Sequence, residues 1–287
     1  MMTTVPENRL RPGNSGAVDP RGGYVLYWMT AFRRLGWNYA LQHAADLSRE
    51  LRKPLVILEA LRADYPFASP RLHGFILQGI QERSRLLQGM DAIHYPFVEQ
   101  EKGQGKGLLE ALARGACCVV ADDFPSFFLP RMVEAAGEVL EVRLDLVDSN
   151  GLLPLAAPDR EFSSAYHFRR YLQKNLPDHL PEHPDPTPLS RGLPSASGVI
   201  PEEVLRRWPM AAGSLLAGEP DALAGLPLDH SVPAAALPGT LREARQGLRR
   251  FLDGGIHRYH EDRNHPDLPA TSGLSPFLHF GVLSTHE

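Results

Sequence analysis

Thr271-Ser272-Gly273-Leu274-Ser275-Pro276 gathers three hydroxyls, a glycine and a helix-start signal within six residues. A serine before a proline reads as a helix N-cap: the hydroxyl accepts a bond from an orphan backbone N–H, and proline at the first helical position gives up no bond. Gly273 permits a backbone turn that a side chain would oppose. Unpaired N–H groups, the positive end of a helix dipole and the hydroxyls of Thr271 and Ser272 together suit an anion, phosphate above all. The apolar run Phe277, Leu278, Phe280, Val282 and Leu283 supplies a buried face behind the turn. The same residues would also serve an ordinary capped helix that binds nothing.

Other stretches carry weaker chemistry. Glu101–Leu112 (EKGQGKGLLEAL) is glycine-rich before a helix, but Gly107 follows Lys106 where a phosphate loop requires Ser or Thr, and GxGxxG spacing is missing. It reads as a strand-to-helix loop. His257, His260 and His265 are interleaved with Arg258 and Arg263, which oppose a metal cation, so no metal site is expected. Asp122-Asp123 follows an apolar run, where α/β folds place ligands, yet adjacent acids also occur as loop and cap residues. Trp28, Trp37 and Trp208 read as packing residues.

The elements that must position these residues alternate. Apolar runs of strand length occur at Tyr24–Met29, Leu55–Ala60, Ala92–Val98, Ala116–Ala121 and Val139–Leu146. Helix-like stretches lie between them, at Asn38–Arg52, Arg71–Gln88, Gly107–Arg114 and Ser126–Ala136. Unalternating apolar strands separated by helices predict a doubly wound, five-stranded parallel sheet covered on both faces. Residues 1–22, polar and rich in Gly and Pro, read as a flexible lead-in. Twelve of the 26 prolines fall between Pro177 and Pro238, which predicts a surface connector with a short helix near Glu202–Trp208. A last helical block starts near Thr240, with Leu241, Ala244, Leu248, Phe251 and Leu252 as its apolar stripe.

A net charge of −4 over 287 residues offers no global basic field for nucleic acid, though a local patch is compatible with it. Cys117 and Cys118 are adjacent and, as strand neighbours, are expected to face opposite ways. They fit a reducing compartment. No apolar run is long enough to span a membrane, and the N-terminus lacks a secretory core, so a cytoplasmic protein is expected.

Three stretches carry a resemblance. From Leu248 onward, Tyr259, then Arg263-Asn264-His265-Pro266, then Thr271–Ser284 resemble the photolyase/cryptochrome family where its helical flavin domain begins. Tyr24–Leu41 (YVLYWMTAFRRLGWNYAL) is similar to the first strand and helix of class II cyclobutane pyrimidine dimer photolyases, and Val147–Pro177 resembles the class II stretch leading out of the N-terminal domain. The resemblance implies a Rossmann-like antenna domain at 23–150, a connector at 151–239 and the start of an all-α FAD-binding domain at 240–287. It implies FAD, held on its phosphate side by Tyr259, Thr271, Ser272, Gly273, Leu274 and Ser275, and an antenna chromophore of deazaflavin or folate type. Gly273 departs from the larger residue of many members, which leaves its side-chain role open. The implied activity is light-driven splitting of pyrimidine dimers in damaged DNA by electron transfer from reduced FAD, by a monomer. The chain then reads as an incomplete N-terminal portion, inactive alone. A cryptochrome-like photoreceptor or a stand-alone nucleotide-binding α/β domain stays open as an alternative.

Overall fold

The computed structural model describes residues 4–195, 198–268 and 270–287. The strands are β1 (Leu10–Pro12), β2 (Tyr24–Trp28), β3 (Leu55–Leu61), β4 (Ala92–Val98), β5 (Ala116–Asp122) and β6 (Leu144–Val147). The helices between them are α1 (Tyr39–Leu51), α2 (Pro70–Leu86), α3 (Leu108–Ala113) and α4 (Leu129–Val139). They form one sheet in the order β1-β6-β5-β2-β3-β4, parallel except for β1. After the edge strand β1 the chain enters the middle of the sheet at β2, builds outward through β3 and β4, then returns to build β5 and β6 on the other side. Its topological switch point therefore lies between β2 and β5, and ligands of open α/β sheets bind at the carboxyl ends of strands at such a point.

The period of two along β2 divides the core. Tyr24, Leu26 and Trp28 pack on one face with α3 and α4, whereas Val25 and Tyr27 pack on the other with α1. Every residue of β2 and β5 is buried, as expected of a parallel sheet with helices on both faces.

Three expectations need correction. The run Val139–Leu146 is a strand only from Leu144, because Val139 ends α4 and Leu140 caps it. The lead-in is not uniformly loose: Leu10–Pro12 pair antiparallel with Asp145–Val147 as a sixth strand, and the Arg9 side chain is fully buried. Three residues are too few for a legible period, so this strand left no pattern in the sequence; residues 1–3 lie outside the described residues. Cys117 and Cys118, both free, pack into the same core. The register steps from Tyr24↔Ala116 to Val25↔Cys118, and this bulge at Cys117 cancels the alternation.

The connector holds α5 (Ala165–His179), α6 (Glu202–Arg207), α7 (Gly213–Ala217) and α8 (Pro220–Ala224). Val204 and Trp208 enter the core beside α3, while Leu216, Leu223 and Leu226 pack on Ile76, Leu77 and Ile80 of α2. Beyond it run α9 (Leu241–Arg250), a five-residue π-type turn (Phe251–Gly255), α10 (Ile256–Asp262) and α11 (Ser275–His279). Thr240 caps α9 by accepting from the Glu243 N–H at 3.3 Å. No helix among the described residues is long and apolar enough to cross a membrane.

Candidate functional site

At the switch point a buried carboxylate is tied to the loop that follows β2. Asp122, the last residue of β5, is fully buried. One carboxylate oxygen accepts from the backbone N–H groups of Thr30, Ala31 and Phe32 at 2.8, 2.7 and 2.9 Å. The other accepts from the Tyr27 hydroxyl at 2.7 Å. Burial pushes this carboxyl up from its ordinary value, and the four donors act against that push. The Asn38 amide donates to the Tyr27 hydroxyl and to the carbonyls of Phe32 and Arg34, while its oxygen caps α1 by accepting from Ala40 and Leu41. The loop from β2 to α1 is thus tied at both ends to buried polar side chains.

A second buried cluster braces the same loop. Glu59 on β3 accepts from Arg83 at 2.6 and 3.0 Å, from Arg33 at 2.9 Å and from His94 at 3.2 Å. Arg83 also donates to the Arg33 carbonyl at 2.8 Å. Burial pushes the Glu59 carboxyl up, but the charges of Arg83 and Arg33 and the His94 contact outweigh it and hold it well below the ordinary carboxylate range.

The segment after α11 docks on this loop. Arg34, fully buried, donates to the carbonyls of Gly281, Ser149 and Trp37 at 3.1, 2.9 and 3.0 Å. Desolvation pushes its pKa down to about 10. Gly281 has φ +67°, and a Cβ there would lie 1.9 Å from the Ala31 carbonyl oxygen. Only glycine fits this approach. Leu274, Phe277, Val282 and Leu283 are buried together with Phe75 and Ala244, each apolar side chain contributing about 1.5–3 kcal/mol.

Within the phosphate-suited turn, Thr271, Gly273 and Ser275 are exposed and Ser272 is half-buried. Gly273 has φ +65° with open space where a Cβ would stand. The hydroxyls of Thr271 and Ser275 have no partner among the described residues. These features fit a phosphate group. The capping assignment, however, is corrected: Leu274 is the cap residue, no side chain caps the helix, and Ser275 is its first residue. The local hydroxyl bond comes instead from Ser272, whose oxygen accepts from the Leu274 N–H at 3.4 Å. Leu274 contributes its backbone only, because its side chain is in the core. Tyr259 is exposed on α10, with its ring against Phe251 at 5.8 Å and Arg263 at 5.7 Å.

The weaker candidates resolve into structure. The Glu101–Leu112 loop is held by Glu99, which accepts from the Gly105 N–H, and by the Trp208 indole, which donates to the Gln104 carbonyl; both bonds are 2.9 Å. Trp28 and Trp208 are core residues, and Trp37 packs on His183. Asp123 pairs with Arg11 on β1. Arg34 and Asn38 were not singled out from the sequence, although both lie inside the quoted Tyr24–Leu41 stretch. Asp122 was, but as a loop residue.

Fold and site together define a Rossmann-like α/β unit whose switch point docks a helical segment bearing an anion-suited turn. The chain is 33% identical over 298 residues to a deoxyribodipyrimidine photo-lyase of Oryza sativa subsp. japonica, covering 98% of this chain and 54% of that protein. It is 27% identical over 281 residues to one from Methanothermobacter thermautotrophicus, covering 96% and 57%. A solved class III photolyase from Agrobacterium tumefaciens shares the fold, with TM-score 0.62 at 18% identity over 95% of this chain and 53% of that one. No family model matches the chain. The chain belongs to the photolyase family, and it spans about half the length of the curated relatives it matches.

Proposed function

We propose that this chain forms the α/β portion, the connector and the first helices of the FAD-binding portion of a class II-like photolyase, and that the whole protein repairs cyclobutane pyrimidine dimers in DNA under light. The observation that supports this best is the segment Thr271–Ser284, which carries an exposed, hydroxyl-rich turn at its start and docks through Gly281 on the loop at the switch point of the α/β unit. In this reading the divisions fall at 23–150, 151–239 and 240–287. The hydroxyls of Thr271, Ser272 and Ser275, with the backbone N–H groups of Gly273 and Ser275, hold the FAD pyrophosphate, and Tyr259 flanks it. Reduced FAD, when bound, supplies the electron that opens the cyclobutane ring. The chain's own residues orient the cofactor and hold the turn against the α/β unit; positioning of this kind can supply about 7–11 kcal/mol of a barrier. A dimer is weakly stacked and paired, which lowers the cost of turning it out of the duplex. An antenna chromophore of deazaflavin or folate type belongs to the same reading, as does action in the cytoplasm.

The test uses the full-length protein loaded with FAD and a reductant, mixed with an oligonucleotide carrying one dimer. Chromatography should show the dimer disappearing under blue light and persisting in the dark. Flavin-loaded protein that leaves the dimer intact under illumination defeats the proposal.

A further inference from the structure

At the switch point of the doubly wound sheet, Asp122 holds the Thr30–Arg34 loop, and this loop meets Gly281. The connections form one continuous path. The Asp122 carboxylate fixes the N–H groups of Thr30, Ala31 and Phe32. The Ala31 carbonyl then lies against the Gly281 Cα, where a Cβ would approach its oxygen to 1.9 Å and the Arg33 nitrogen to 2.9 Å. Arg34, next in the loop, donates to the Gly281 carbonyl at 3.1 Å and to Ser149 at 2.9 Å, so one guanidinium ties the loop after β6 to the docked segment. Gly281 in turn closes the short helix that follows the turn: its N–H donates to the Leu278 carbonyl at 3.2 Å, and Val282 and Leu283 both donate to the Phe277 carbonyl.

We infer that Arg34 and Asp122 are positioning residues for the candidate flavin-phosphate turn: through Gly281 they clamp Thr271–Ser284 onto the α/β unit and set the orientation in which the turn meets the cofactor. This inference rests on the reading of that turn as a flavin site. It gives the loop at the switch point a role in docking the segment that carries the candidate turn. The apolar contacts of Leu274, Phe277 and Val282 can slide by small steps. A buried guanidinium with three carbonyl acceptors and a glycine with no room for a Cβ cannot, so they fix the register.

Two substitutions in the full-length protein test this. Arg34→Met removes the donors, with Arg34→Lys as the conservative partner that restores one. Gly281→Ala leaves all donors in place but pushes the segment off the Ala31 carbonyl, and it serves if Arg34→Met does not fold. Hydrogen exchange without flavin should rise in 271–284 and stay unchanged in the sheet peptides 55–61 and 116–122. Arg34→Lys should recover part of the protection. Flavin affinity, measured by titration, should fall by about tenfold or more in Arg34→Met and Gly281→Ala. Wild-type exchange in 271–284 in both variants overturns the inference, and so does exchange that rises equally throughout the sheet, which would make these contacts general stabilisers. Faster exchange in 271–284 with unchanged flavin affinity overturns it differently: the clamp then exists, but the turn it holds is not the flavin site.

Discussion

Replacing Glu59 with glutamine removes one charge from a cluster that has little access to water. Glu59 is wholly buried and Arg83 nearly so, their side chains 0% and 4% exposed. In the native protein the carboxylate answers two guanidinium groups and receives a third contact from His94. Glutamine keeps one acceptor oxygen but leaves the Arg83 charge buried without a counterion, and breaking a buried pair from one side costs about 3–5 kcal/mol. For a unit of this size each kcal/mol lowers the melting temperature by about 2–4 °C, so the loss should be about 6–20 °C by calorimetry. The sign of the pH effect follows from the same cluster. Glu59 is depressed below its ordinary value of 4.5, so its contribution is fully present above that value and is lost as pH falls from there through the folded-state value. Wild type should therefore lose stability relative to Glu59→Gln as pH drops below about 4.5, and the two curves should converge. A cycle with Arg83→Met should return a coupling of about 0.5–3 kcal/mol. Parallel pH curves with no measurable coupling would show that the pair carries no net stabilisation and refute the reasoning.

Other outcomes follow from single residues. Asn38→Ala should destabilise by more than the roughly 0.5–2 kcal/mol of an ordinary cap, because it also strands the carbonyls of Phe32 and Arg34; denaturant melts giving a loss within the cap range alone would contradict this. Ser275→Ala should leave the fold within about 0.5 kcal/mol, since its exposed hydroxyl caps nothing, whereas Ser275→Asp should fold normally and lose more flavin than Ser275→Ala, because a carboxylate in the first turn faces the phosphate; equal flavin absorbance in Ser275→Asp and wild type rules out the phosphate contact. Cys117 and Cys118 should resist alkylation in the native protein, burial having raised both thiols and Cys118 to about 12, and should react once unfolded; rapid native labelling by mass spectrometry would contradict the bulged, buried placement.

The α/β body was legible because its signals are local. Runs such as Leu55–Ala60 and Ala116–Ala121 announce strands from their own composition, and Asn38–Arg52 reads as a helix within its own span. Two of the misreadings fall where the deciding contact lies far away in sequence, and a third is local. Leu10–Pro12 becomes a strand only because Asp145–Val147, more than a hundred residues later, has an open edge to pair with. Cys117 and Cys118 share a face only because the partner strand β2 imposes a bulge. Ser275 carries the right residue type for a cap, but Gly273 in the left-handed region and the burial of Leu274 shift the helix start by one residue.

The candidate site divides along the same line, and the division says what each part is for. The candidate turn, Thr271 to Ser275, can be read from residue types, since hydroxyls and a glycine before a helix suit an anion without help from elsewhere in the chain. The parts that hold the turn in place cannot. Asp122 reads as an ordinary acid after a strand until the N–H groups of Thr30–Phe32, some ninety residues earlier, are found on its oxygen. Arg34 reads as one basic residue among many until its guanidinium is found between Ser149 and Gly281. Gly281 lies inside the apolar run read as one face, and its missing Cβ matters because the Ala31 carbonyl lies against it. The proposed binding groups are exposed and locally specified, whereas the groups proposed to position them are buried and specified by pairs of distant segments. A buried arginine whose acceptors are all backbone carbonyls has no complementary charge to betray it in the sequence. Its partners are peptide groups that every residue carries, so only the folded chain identifies it.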